Sequence, residues 1–134
     1  MAATFQSKWW QIAVPPPWKA QDCEECVEIT QPDGVGALHI SSARKLEGAV
    51  LASEALSQLR ENCPDGTETE SARCGDFEGH AAEYVDWNEG LYWKKWFVAC
   101  REILLFATYN RKRGEEGLES PHAQALLSSL RCRE

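Results

Sequence analysis

The sequence predicts a single α+β domain over residues 1–134, built on a mostly antiparallel six-stranded sheet with two helices in the order βββ-α-βββ-α. Three observations lead there. Period-two alternation marks strands within the first 41 residues, and strands return between residues 67 and 110, with loose alternation from residue 76. A three- and four-residue apolar period interrupts it at residues 50–62 and reappears at the C-terminal end. Strands that come in groups, rather than alternating with helices, favour antiparallel pairing and the α+β class.

Each element has a local reason. Residues 8–14 alternate, with Trp10, Ile12 and Val14 on one face, and Pro15-Pro16-Pro17 stops them because proline has no N–H for a ladder. Residues 26–30 are β-branched and alternating. Pro32-Asp33-Gly34 signals a turn into residues 37–41, with Leu38 and Ile40 inward, so the two strands read as a hairpin. Leu51, Ala52, Ala55, Leu56 and Leu59 then form one helical face, ended by Asn62-Cys63-Pro64-Asp65-Gly66. Residues 76–87, 91–100 and 103–110 supply the second group of strands. Gly90 offers a positive φ to a loop at 88–90, and Arg101-Glu102 makes a tight reversal. Residues 103–110 are apolar on both faces, as expected of a central covered strand. Ser120-Pro121 fits an N-cap followed by proline, leading a stripe of Ala123, Leu126, Leu127 and Leu130. Residues 111–119 read as a charged loop.

Composition excludes several classes. Hydrophobic residues are 43% and charged residues 26%, an ordinary globular balance. The longest apolar run, Ile103 to Ala107, is far short of the ~20 residues of a membrane helix. A net charge of −7 argues against nucleic acid as partner. The N-terminal residues carry neither the basic start nor the apolar run of a signal peptide, so the expected location is cytoplasmic with reduced thiols.

No motif dictates chemistry. Cys23-Glu24-Glu25-Cys26 is a CxxC that opens a strand and encloses two acids, which raise rather than lower a thiol pKa. No second pair or nearby histidine completes a zinc set. The six cysteines allow 15 pairings if oxidised. His39, His80 and His122 are scattered. A nucleophile–base pair of Cys74 or Cys100 with His80 is one enzymatic alternative. The expectation is therefore no catalytic residue, no metal and no cofactor.

Charge and aromatics stand out instead. Residues 61–89 hold nine acids and one base, and residues 94–113 hold six bases and one acid. With a loop at 88–90, Glu83 falls opposite Lys95, which means either cross-strand ion pairing or a bipolar surface that orients a partner. Trp87, Tyr92, Trp93, Trp96, Phe97, Phe106 and Tyr109 crowd two hairpins. Trp93 and Phe97 share one strand face, and Tyr92 and Trp96 the other. Such rings either pack under helices or serve as partner anchors. The candidate interaction surface is Trp9, Trp18, Trp87, Trp93 and Trp96, and its partner an unidentified protein.

The Val14-Pro15-Pro16-Pro17-Trp18 exit, the hairpin over residues 31–41, the helix, the tryptophan-bearing strand pair, Leu104-Leu105-Phe106-Ala107-Thr108-Tyr109-Asn110 and the terminal Leu126-Leu127-Ser128-Ser129-Leu130-Arg131 together resemble the PsbP-like superfamily. That resemblance implies an α/β/α sandwich around an antiparallel sheet. It also implies protein binding rather than catalysis, because the superfamily includes a Ran-binding import factor and bacterial secretion adaptors. The functional expectation is a bacterial, non-enzymatic protein-binding or adaptor domain. The alternatives are a carrier of an apolar ligand between sheet and helix, and the Cys/His enzyme.

Overall fold

The structure is a computed structural model that describes residues 3–32, 34, 36–112 and 116–133. Its strands are β1 (Ala3–Gln6), β2 (Trp10–Val14), β3 (Lys19–Asp22), β4 (Val27–Thr30), β5 (Gly36–Arg44), β6 (Thr69–Cys74), β7 (Phe77–Asp86), β8 (Leu91–Cys100), β9 (Ile103–Lys112) and β10 (Arg131–Cys132). Helix α1 (Ala52–Glu61) lies between β5 and β6, and α2 (Glu116–Leu127) between β9 and β10. The α+β class stands, and every strand pair is antiparallel. The single six-stranded sheet does not. There are two sheets, one of seven strands in the order β3-β4-β5-β9-β8-β7-β6 and one of three in the order β1-β2-β10.

Strand β2 has the expected inward face, with Trp10, Ile12 and Val14 buried. It belongs to the small sheet, however, and is hydrogen-bonded to β10 at Cys132↔Trp10. The expected hairpin of the next two strands is β4–β5. Asp33 and Val35, on its connecting turn, lie outside the described residues.

Strand β9 runs between β5 and β8. Ile103, Leu105, Ala107, Tyr109 and Arg111 are buried on one face. There they meet Trp96 and Val98 of β8, Leu38 and Ile40 of β5, and the inward side of β2. Ala123, Leu126, Leu127 and Leu130 close this core from the α2 side, as their stripe predicts. The outer layer on this face is thus mixed, with α2 and the small sheet together. On the opposite face α1 buries Ala55 and Leu59 against Ala82 and Phe97. Leu51 and Ala52 leave the predicted stripe, because Leu51 is the N-cap and both are exposed.

Two further corrections concern the C-terminal half. Helix α2 starts at Glu116, ahead of the predicted Ser120 cap. Arg111 and Lys112 belong to β9 rather than to a loop, and residues 113–115 lie outside the described residues. The Arg111 guanidinium is buried against the Tyr92 and Tyr109 rings, with centroid distances of 4.4 and 5.2 Å. A desolvated cation over ring faces is stabilised by about 2 kcal/mol, which helps a charge enter this core.

Turn chemistry fixes the two joints that matter most. Gly75 has φ +62°, and a Cβ there would lie 1.9 Å from the Leu130 carbonyl oxygen, so only glycine lets the β6–β7 turn meet the chain after α2. The β8–β9 turn is held from outside. The Val50 N–H donates to the Arg101 carbonyl at 2.7 Å, and the Lys45 N–H to the Glu102 carbonyl at 2.8 Å. The same connection starts α1. The Glu54 carboxylate accepts from the Leu51 N–H at 2.9 Å and from Lys45 Nζ at 2.7 Å, half of a capping box. Among the described residues no helix is long and apolar enough to cross a membrane.

The Lys45 ammonium, and then the Leu51 N–H, hold the Glu54 carboxyl below its ordinary value. A lowered folded-state pKa stabilises the fold above the unfolded value, and that contribution is lost as pH falls through the folded one. Thermal melts of Glu54→Gln should therefore lie below wild type at neutral pH. The two proteins should converge as the pH drops through the carboxylate range.

Candidate functional site

One face of the seven-stranded sheet carries the main core along β5, β9 and β8, and the other is half covered. Helix α1 makes most of its contacts with β7 and β8. Register defines what it leaves open. One row across the sheet runs Ala37–Asn110–Trp93–Tyr84, and the next runs Glu28–His39–Thr108–Lys95. A third, Ser41–Phe106–Phe97, passes beneath the edge of the helix. Apart from Phe97 these residues are half-buried, whereas Leu38, Tyr92, Trp96, Ala107 and Tyr109 on the other face are buried.

Lys95 organises the middle of this face. Its ammonium donates to the Asn62 carbonyl at the C-terminal cap of α1, 2.8 Å away. A cation at a helix C-terminus offsets the negative end of the macrodipole. The same ammonium lies 4.9 Å from the Trp93 ring centroid and 5.3 Å from that of Tyr84. Lys95 therefore ties the helix end to an aromatic pair formed by directly opposite residues of β7 and β8. Beside it, Phe97 and Phe106 stack with centroids 4.3 Å apart. They floor a cleft of about 300 Å³ between α1 and strands β5 and β9, with Ser41, Leu104 and Gln58 in its walls. At the far side of the face, His39 Nε2 and Glu28 Oε2 are 3.1 Å apart.

The predicted tryptophans do not form one surface. Trp96 is 1% exposed and Trp18 7%, so both are core residues and leave the candidate set. Trp9 is half-buried on the small sheet, with Lys8 over its ring at 5.2 Å. Trp93 is half-buried on the open sheet face. Trp87 is 71% exposed at the β7–β8 loop. That loop is rigid, because the Asp86 carboxylate accepts the N–H groups of Asn88 at 3.0 Å and Glu89 at 3.2 Å. Gly90 takes the expected positive φ of +68°. Tyr84, Lys95, Phe106 and His39 belong to the open face, and none of them is in the sequence's candidate surface, although Phe106 is among its crowded aromatics and Lys95 in its charge pattern. Only the pairing register brings them together.

The Glu83–Lys95 pair does not form. Glu83 stands opposite Lys94, and its carboxylate accepts the Tyr92 hydroxyl. The connection spans residues 87–90, one residue more than the loop assumed, and a one-residue slip in register moves a side chain to the other face.

The thiol alternative fails on the same alternation. His80 lies opposite Phe97, on the α1 face, whereas Cys74 and Cys100 pack against the main core. Burial pushes the Cys74 thiol up to about 12 and, aided by the neighbouring Cys132, the Cys100 thiol up to about 11. A nucleophilic cysteine needs the opposite shift. A cleft of about 780 Å³ does run past Arg73, Glu78, His80, Cys100 and Arg101. Both arginines are engaged, since Arg73 Nη1 lies 3.0 Å from Glu78 Oε1 and Arg101 Nη1 donates to Cys132 Sγ at 3.9 Å. The hollow between β2 and α2, beside Trp18 and His122, is about 230 Å³. That is smaller than the ~300 Å³ at which small-molecule pockets begin.

No family model matches the chain, and no curated protein matches it. A crystal structure of a protein from Bacteroides thetaiotaomicron VPI-5482 does. It shares the fold, with a TM-score of 0.69 over 98% of this chain, at 18% sequence identity. The chain covers 48% of that protein, about half its length. The likeness establishes the fold and assigns no residue a role.

Two measurements check this assignment of faces. Trp96→Ala should lower unfolding free energy in urea by ~3–5 kcal/mol, the cost of emptying a large core site, while Trp93→Ala should cost a small fraction of that. Thiol labelling of the native protein should leave Cys74 unmodified until denaturant is added.

Proposed function

We propose that the chain is a protein-binding domain that docks its partner on the sheet face left open by α1. The observation that carries this reading is a mismatch of widths, a seven-stranded sheet with a ten-residue helix centred on two of its strands. A soluble domain that leaves aromatic rings half-exposed on a flat sheet offers anchors of the kind that dominate interface energetics. Trp93, Tyr84 and Phe106 supply the rings, and Lys95, His39 and Asn110 supply hydrogen-bonding groups around them. The acids Asp86 and Glu89, beside Trp87, border the β7 end of this face and favour approach by a basic segment of the partner. The resemblance to the PsbP-like superfamily, whose members mostly bind proteins, supports an adaptor role without enzymatic activity. The structural neighbour is a bacterial protein, which supports a bacterial setting.

A photo-crosslinking amino acid at Ser41, in the cleft beside α1, should capture a protein in the native host, whereas the same group at Lys8 should not. Trp93→Ala with Tyr84→Ala should abolish the capture while leaving the circular dichroism spectrum intact. Equal capture from both positions, or capture that survives the double substitution, contradicts the reading.

A further inference from the structure

We propose that Cys23 and Cys26 form a redox-active dithiol at the tip of the β3–β4 hairpin, and that its substrates are low-molecular-weight disulfides. The geometry comes from the backbone. Strands β3 and β4 pair through Asp22↔Val27, which places Cys23 and Cys26 opposite each other across Glu24 and Glu25. The Cys23 N–H donates to the Cys26 carbonyl at 2.8 Å, closing the ladder at this point. Residues at the two ends of a four-residue reversal have Cα atoms within ~7 Å, and a disulfide requires roughly 4.4–6.8 Å. The Cys23 thiol itself donates to the Gln21 carbonyl at 4.0 Å. No backbone rearrangement is needed to join the two cysteines.

The environment assigns each sulfur a part. Cys23 is exposed and Cys26 half-buried. Burial, then Cys23 itself, then the carboxylates of Glu28 and Glu25 push the Cys26 thiol up. Cys23 is therefore the attacking sulfur and Cys26 the resolving one. The Cys23 thiolate attacks one sulfur of the small disulfide RSSR, forming a mixed disulfide and releasing RS⁻. Cys26, losing its proton to solvent, attacks Cys23 Sγ and expels the second RS⁻. Both leaving thiolates take up protons, so the dithiol loses two hydrogens and one RSSR becomes two RSH. Dithiols whose reduced form is stabilised as thiolate are strong oxidants. Here burial, then Cys23 and the acids, withhold that stabilisation from Cys26, which favours the pair as an electron donor.

The full chain treated with glutathione disulfide, quenched with an alkylating agent and mapped by mass spectrometry tests this. Wild type should lose the mass of two hydrogens and show one peptide with Cys23 linked to Cys26. Cys26→Ser should instead retain one glutathione on Cys23, and Cys23→Ser should react more slowly than Cys26→Ser. The same link should form in Cys132→Ser, which separates this pair from the neighbouring Cys100 and Cys132. The proposal is overturned if wild type holds a persistent glutathione adduct on Cys23, or if Cys100 and Cys132 are consumed while Cys23 and Cys26 stay reduced.

Discussion

The alternation of β9 is the constraint on which the rest of the molecule depends. This strand is paired along its length on both sides, with β5 and with β8. Its odd-numbered residues, Ile103 to Arg111, meet the core beneath α2 and the small sheet, and its even-numbered residues line the face shared with α1. A slip of one residue would bring Thr108 and Asn110 into the core without partners and expel Tyr109, Leu105 and Ile103. Register in β9 therefore decides which face of β5 and β8 is sealed. It also decides that the open face carries Phe106, Thr108 and Asn110 rather than an aliphatic wall.

The fold was legible wherever a strand lies between two neighbours. The six strands that the sequence pattern predicts are β2, β4, β5, β7, β8 and β9, and each is interior to its sheet. The four it does not predict, β1, β3, β6 and β10, are the four sheet edges. The physical reason is the same in each case. An edge strand needs little apolar surface and is protected from aggregation by being short and polar, which erases the alternation that marks a strand. Lys19-Ala20-Gln21-Asp22 and Thr69-Glu70-Ser71-Ala72-Arg73-Cys74 show no usable period. The start of α2 was missed for a related reason: the residues from Glu116 to Ser120 lack the apolar stripe that begins at Ala123.

The site was legible in part. Alternation correctly separates Trp93 from Trp96, because neighbouring faces of a strand follow from position alone. It does not say which face a helix covers, and so it grouped the buried Trp18 and Trp96 with the exposed Trp87. Lys95 was assigned to an acid across the strand pair because the loop was counted one residue short. Its actual partner, the Asn62 carbonyl, is a backbone atom at the end of a helix, which no side-chain pattern announces. The cysteine pairs are similar. Fifteen pairings were open in the sequence, and only the hairpin register sets Cys23 against Cys26.

The small sheet also acts as a clasp. Strand β2 near one end of the chain receives β10 from the other, and the Ala13 N–H donates to Ser129 Oγ across 116 residues at 3.0 Å. Closing so long a loop carries an entropic cost before any contact repays it. During synthesis the inward side of β2, with Trp10, Ile12 and Val14, must wait for the segment carrying Leu126, Leu127 and Leu130 to emerge before that segment can cover it. The long-range pairing that completes the core is therefore also the step that finishes the covering of Trp10, one of its largest side chains.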